Sequence, residues 1–171
     1  AESRADSDRE INVCAILLQL REQAEEISQG NHVIEVGCEA GLNMLGNAKD
    51  LESAFRNLIN NAIHYTPEGG TVRIEWETRP EGLVFSVSDT GIGIPRRDIP
   101  RITERFYRVD SDRSRHTGGT GLGLAIVKHV LNAHGARLQV ESELGEGSTF
   151  SCVFPVERRV LAEDAPVRAV N

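Results

Sequence analysis

The order of apolar patterns along this chain predicts an α+β fold, a mixed, mostly antiparallel sheet with about three helices on one face. Two observations carry that expectation. Strand-like alternation recurs in pairs joined by short turns, and three stretches of helical periodicity fall between them. The order reads helix, strand, short strand, helix, hairpin, loop, helix, hairpin. A sheet covered on one face by its helices, a two-layer sandwich, satisfies both patterns.

Residues 13–29 place Ile16, Leu17, Leu20, Ala24 and Ile27 at helical spacing, and Gly30 closes that helix. HVIEVGC (32–38) alternates as a strand, and LNMLG (42–46) reads as a second, short one. A helix is expected over 48–65. TVRIEWETR (71–79) and LVFSVSD (83–89) form a hairpin through Pro80, Glu81 and Gly82. RRDIPRITERF (96–106) is a short helical stretch interrupted at Pro100. RVDSDRSRHTGGTG (108–121) lacks apolar periodicity and reads as a mobile loop. LGLAIVKHVLNAHG (122–135) is an apolar helix ended by Gly135, and ARLQVESE (136–143) and GSTFSCVFPV (147–156) are the last strands.

With 171 residues, 39% of them hydrophobic, the chain can build one domain with a sizeable core. The polar start, AESRADSDRE, reads as a linker, residues 11–157 as the domain, and 158–171, within RRVLAEDAPVRAVN, as a loose tail. Two frayed ends around one core suggest a piece of a longer protein. The formal net charge of −7 speaks against non-specific nucleic-acid binding and against a polybasic membrane patch. A phosphate site is not excluded, because backbone N–H groups can build one locally. No apolar run reaches the roughly 18 residues that would mark a membrane span. Cys14, Cys38 and Cys152 have no metal-ligand spacing and are expected as reduced thiols of a cytosolic setting.

The helix over 48–65 carries an unusual polar set, Asn57, Asn60 and Asn61. Asn is a mediocre helix former, because its side chain competes with the backbone for hydrogen bonds. On a helical wheel with Asn57 at zero, Asn61 lies at about 40° and His64 at about −20°. Leu51, Phe55, Leu58, Ile59, Ala62 and Ile63 occupy an arc from about 100° to 240°. One face thus packs on the sheet, and Asn57, Asn61 and His64 form a polar stripe on the other. A merely solvated stripe would draw on Glu, Lys and Arg. Asn instead offers a neutral carbonyl oxygen, a ligand suited to a hard cation already bound to phosphate.

Two glycine-rich stretches add to this. DTGIGIP (89–95) follows a strand directly; Asp89 ends the strand, and Gly91 and Gly93 let a backbone approach something closely. A carboxylate there can accept a hydrogen bond from an exocyclic amine such as that of adenine. In TGGTGLGLAIVKH (117–129), glycines 118, 119, 121 and 123 open a helix, and Arg108, Arg113 and Arg115 precede it. Free N–H groups at a positive helix end suit a polyphosphate. The spacing matches neither a P-loop nor a dinucleotide fingerprint. GEGSTF (145–150) reads on its own as an ordinary hairpin turn.

Taken in order, these stretches resemble the catalytic, ATP-binding domain of sensor histidine kinases. The N box of that family matches Asn57–Tyr65, its G1 box Asp89–Pro95 and its F box ERFYRVD (104–110). Its G2 box matches Gly119–Leu124 and its last glycine box Gly145–Phe150. Within the family, residues 101–129 are most similar to the branch that responds to phosphate supply. The resemblance implies the Bergerat fold, a sandwich with a mobile ATP lid, and a protein-histidine kinase activity. It implies Mg²⁺ on Asn61, with Asn57 on phosphate or on metal-bound water. Asp89 would read the adenine amine, helped by Gly93 and a water, with Thr149 on the same network and Gly91 and Ile94 in the same loop. Tyr65 would pack near adenine or ribose. Phe106, Tyr107 and the rest of 107–120 would form the lid, with Arg108 on phosphate, joined by Gly119 and Thr120. The N–H groups of Gly121, Leu122 and Gly123 would cradle phosphates, with Leu124 next in line. His64 stands where many members carry Lys, and neutral His is the weaker phosphate partner.

Position 57 separates two chemistries. Hydrolytic relatives place a Glu four residues before the metal Asn, whereas Asn57 cannot take a proton. The phosphoryl group would then await a His supplied by separate dimerisation helices, for relay to a response regulator. None of the five histidines lies in an H-E/D-x-R-T-P context, and His32, His116, His129 and His134 read as structural or exposed. The expected piece binds Mg·ATP, is monomeric, contacts no nucleic acid, and belongs to the cytoplasmic side of an inner-membrane sensor. An ATP-hydrolysing relative of the same fold, or a degenerate protein-binding module, are the alternatives.

Overall fold

The computed structural model describes residues 8–104 and 122–162. Within them the alternating segments become strands β1 (Arg9–Ile11), β2 (Val33–Cys38), β3 (Leu42–Gly46), β4 (Thr71–Arg79), β5 (Gly82–Asp89), β6 (Arg137–Glu143), β7 (Gly147–Phe154) and β8 (Arg159–Leu161). The periodic segments become helices α1 (Val13–Ser28), α2 (Ala48–Tyr65) and α3 (Leu122–Ala133). Residues Arg96–Arg101 form a short 3₁₀ helix that contains Pro100.

Local chemistry sets the helix ends. Asn12 caps α1 through its side-chain oxygen, which accepts the Ala15 N–H at 3.1 Å. The helix stops at Gln29, which takes the left-handed conformation at φ 53°, and Gly30 follows at φ 79°. Asn47 caps α2 in the same way through the Asp50 N–H. The apolar arc of α2 is buried as the wheel requires, from Leu51 to Ile63, with Ala54 added.

The main sheet runs in the order β2-β4-β5-β7-β6, with β2 parallel to β4 and every other pair antiparallel. Its inner face carries Ile34, Ile74, Trp76, Phe85, Val87, Cys152 and Phe154 into one core with the helices. Phe55 of α2 stacks on Phe85 with ring centroids 3.9 Å apart, and Phe154 stands edge-on to Phe55 and Trp76. The outer face carries the Glu35–Arg73–Glu75 ion pairs.

Three expectations change. β3 does not join the main sheet; it is the centre of a second, three-stranded sheet in the order β1-β3-β8. Residues 9–11, mostly assigned to a linker, and 159–161, assigned to a loose tail, pair with its two edges. The physical reason is that β3 would otherwise leave two rows of backbone groups unpaired. Arg158 reinforces the closure: its Nε donates to the His134 carbonyl at 2.7 Å and its Nη1 to the Leu45 carbonyl at 2.8 Å. Third, Cys14 and Cys38 are not separate thiols but a disulfide, because the first turn of α1 lies over the end of β2 with the two Cα atoms 5.9 Å apart. Cys152 is a free, fully buried thiol, and burial pushes its pKa well above the usual range.

Candidate functional site

The register of the sheet organises the site. One cross-sheet row reads Ile34, Val72, Asp89, Ser148, Ser142, and its side chains share the helix-bearing face. The next row reads Glu35, Arg73, Ser88, Thr149, Glu141, and its side chains share the outer face. Asp89 therefore stands on the inner side at the end of β5, below the C-terminal end of α2.

Its carboxylate is half committed. Oδ1 accepts the Gly91 N–H at 2.9 Å and the Ser148 N–H at 3.2 Å. Oδ2 accepts nothing from the described residues. Burial raises the carboxyl pKa, and the two N–H donors oppose that rise. The result is a carboxylate fixed by one oxygen, with the other available to a donor.

The loop after Asp89 is bolted to its neighbours at three points. Ile92 N–H donates to the Tyr65 carbonyl at 3.2 Å, Gly145 N–H to the Ile92 carbonyl at 2.9 Å, and Ile94 N–H to the Ser142 hydroxyl at 2.7 Å. Gly91 is required because a Cβ would run into the Tyr65 carbonyl oxygen. At Gly93, φ +75°, a Cβ would meet the Glu143 carbonyl. The close approach foreseen for these glycines is thus to the protein's own backbone. Ile94 has its N–H already spent on Ser142.

On α2, Asn57, Asn60 and Asn61 are half-buried on the face away from the core, followed by exposed His64 and half-buried Tyr65. Neither Asn57 nor Asn61 makes a side-chain hydrogen bond among the described residues, whereas neighbouring Arg56 is held by Glu52 and Gln23. The His64 pKa is lowered, first by desolvation of the ring and then by nearby His32. His32 is a strut: its ring nitrogens meet the Ser28 hydroxyl at 2.9 Å and the Thr66 carbonyl at 2.7 Å. His134 is another, buried, with Nδ1 on the Val130 carbonyl and Nε2 accepting the Asn47 N–H. Both fit the structural reading of these histidines.

Thr149 is the site residue that the structure corrects. It points to the outer face, and its hydroxyl lies 3.0 Å from that of Ser88. The residue beside Asp89 is Ser148, 7% exposed, which the sequence reading passed over. The missing signal was strand parity: Phe150, Cys152 and Phe154 are apolar inner positions, so Ser148 shares their face and Thr149 does not. Leu124 lies in the core, which leaves only its backbone to face a ligand. Leu122 opens α3, with Gly123 in its first turn. Phe106, Tyr107, Arg108, Gly119, Thr120 and Gly121 lie outside the described residues. No cluster of three or more His, Cys, Asp or Glu suited to a metal exists among the described residues. A cation here would rely on the asparagine oxygens and on its ligand's own phosphates.

Comparison with known proteins gives this arrangement a class. The family model described as histidine kinase-, DNA gyrase B-, and HSP90-like ATPase matches residues 46–158. The chain belongs to that family, whose name implies ATP binding, and it has the α+β fold of histidine kinase catalytic domains. Among relatives, it is 49% identical over 157 residues to the phosphate regulon sensor protein PhoR of Pseudomonas aeruginosa, covering 91% of this chain. The chain spans 35% of that relative's length. Among solved structures, a mycobacterial sensor histidine kinase, MprB, superposes with a TM-score of 0.77 at 28% identity, covering 86% of this chain and 97% of that one. Full-length ShkA in complex with AMPPNP gives a TM-score of 0.76 at 29% identity, covering 91% of this chain and 32% of that one.

Proposed function

We propose that this chain is the catalytic, ATP-binding domain of a sensor histidine kinase. Its γ-phosphoryl acceptor would be a His outside this sequence, and the phosphoryl group would pass on to a response regulator. The observation that carries the reading is the Asp89 carboxylate, with one oxygen held, at the foot of a helix whose outer stripe offers two asparagine amides; among the described residues, the other Asp89 oxygen and both amides have no hydrogen-bond partner. Asp89 Oδ2 would accept the adenine amine. Asn61 would hold Mg²⁺ through its amide oxygen, with Asn57 beside it on phosphate or on metal-bound water. Bound Mg²⁺ supplies charge neutralisation for the polyphosphate. Asn57 and Asn61 orient the phosphates and take no proton, so neither of them offers water a general base.

The 49% identity to a phosphate regulon sensor supports a role in sensing phosphate supply. Dimerisation helices and a membrane-anchored sensor region in the whole protein belong to the same proposal, with this domain on the cytoplasmic side. The test is calorimetric titration of ATP with and without Mg²⁺, with phosphate release followed in the same sample. Mg²⁺-enhanced binding without release is expected. Steady release, lost in Asn61→Ala, would place a base elsewhere in the chain and overturn the kinase reading in favour of an ATPase.

A further inference from the structure

We propose that Ser142 sets the preference for adenine over guanine, without touching the base, by holding the hydroxyl proton of Ser148 away from it. The inference rests on the proposed adenine site at Asp89.

The argument is a count of protons and lone pairs. Ser142 Oγ lies at the centre of three hydrogen bonds. It accepts the Ile94 N–H at 2.7 Å, donates to the Gly147 carbonyl at 3.1 Å, and lies 2.8 Å from Ser148 Oγ. A hydroxyl has one proton and two lone pairs. All three contacts are satisfied at once only when the proton goes to the carbonyl, which can only accept, and one lone pair goes to the amide, which can only donate. The remaining lone pair faces Ser148, so Ser148 is the donor in that contact. Its single proton is thereby used, and Ser148 presents lone pairs alone.

Ser148 is the cross-strand partner of Asp89 on the inner face, and its own N–H holds Asp89 Oδ1. Paired strands thus bring two acceptors to one face of the sheet, Asp89 Oδ2 and Ser148 Oγ, and neither brings a side-chain proton to the base. Adenine carries an exocyclic amine, a donor, where guanine carries O6, an acceptor. Two fixed acceptors favour the first and leave the second facing lone pairs. Without Ser142, the Ser148 hydroxyl is free to rotate and donate to guanine O6. Discrimination built on leaving a polar group unpaired is strong, so its loss is measurable.

The experiment compares the dissociation constants of Mg·ATP and Mg·GTP for wild type, Ser142→Ala, Ser142→Thr, Ser148→Ala and the double alanine variant, with thermal unfolding followed by Trp76 fluorescence. Ser142→Ala should lower the preference for ATP by roughly tenfold, about the worth of one hydrogen bond, chiefly through tighter GTP binding. Ser142→Thr keeps the hydroxyl and should keep the preference, since a strand accepts a β-branched residue. Ser148→Ala leaves the ties to Ile94 and Gly147 intact and should lower the preference as well, and adding Ser142→Ala to it should change the ratio no further. Equal weakening of both nucleotides in Ser142→Ala would make Ser142 part of the framework only and overturn the proposal. An unchanged ratio in Ser148→Ala would overturn it too, even if Ser142→Ala failed to fold. Wild-type protein that binds ATP and GTP alike would bring down the adenine reading of Asp89 first, and this inference with it.

Discussion

At the scale of single residues, Asp89 shows binding and stability pulling apart. Burial raises its folded-state pKa above 3.8, so between 3.8 and that raised value the native state binds more protons than the unfolded chain. Stability contributed by this group is present at low pH and falls as pH rises through that window; at neutral pH the buried charge is a cost. Asp89→Asn removes the charge and keeps an oxygen to accept the Gly91 and Ser148 N–H groups. Its melting temperature should stay level or rise by about 2 °C, the shift expected for less than 1 kcal/mol in a domain of this size. ATP affinity should fall by about a hundredfold, because the new amide sets a donor against the adenine amine. Calorimetry and thermal unfolding on the same sample decide the matter, and an unchanged affinity with a collapsed melting temperature would make Asp89 structural. The asparagine stripe and Asp89 were legible in the sequence because both depend on period and residue type. Ser148 was not, although GEGSTF offers both hydroxyls, because choosing between adjacent residues needs the parity of the strand.

At the scale of elements, α2 was readable over its whole length. Its apolar arc and its polar stripe are local properties, and the observed Ala48–Tyr65 matches the expected 48–65. The hairpin Thr71–Arg79 and Gly82–Asp89 was readable for the same reason, through alternation and a Pro-Glu turn. Strands β1 and β8 were not, since three residues carry no period and their pairing with β3 is decided by tertiary contact. The disulfide between Cys14 and Cys38 is likewise a property of two elements brought together, and spacing alone could not propose it. It closes a loop of sequence separation 24, and constraint of the unfolded chain should be worth about 3 kcal/mol. Reduction with dithiothreitol, or a Cys14→Ser/Cys38→Ser variant, should lower the melting temperature by roughly 10 °C. ATP affinity should not follow. Cys38 pairs with Trp76, four residues along β4 from Val72, the neighbour of Asp89, so the bond lies toward the other end of the sheet. Identical unfolding curves with and without reductant would show that the bond contributes nothing.

At the scale of the whole molecule, α2 links two centres of different purpose. Its C-terminal end carries Asn61 and Tyr65 beside the Asp89 loop, and its N-cap, Asn47, directly follows β3 of the second sheet. That N-cap is held from outside by His134, and Arg158 holds the His134 carbonyl, the Leu45 carbonyl and Asp8 at once. Arg158 is thus the point at which both ends of the described chain, α3 and β3 are fastened. Its pair with Asp8 is partly exposed and contributes little, roughly 0–1 kcal/mol. The two carbonyl bonds matter more, because a charged donor shields them and Ala would leave them without it. Arg158→Ala should therefore destabilise the fold by about 2 kcal/mol, the scale of losing charge-assisted hydrogen bonds. Because the site lies at the opposite end of α2, Mg·ATP affinity below the melting transition should change by less than about threefold, which is under 1 kcal/mol. Thermal unfolding and calorimetric titration of the same variant separate the two effects. A large loss of affinity with an unshifted melting temperature would show that the second sheet positions the nucleotide site through α2, rather than merely holding the far end of that helix in place.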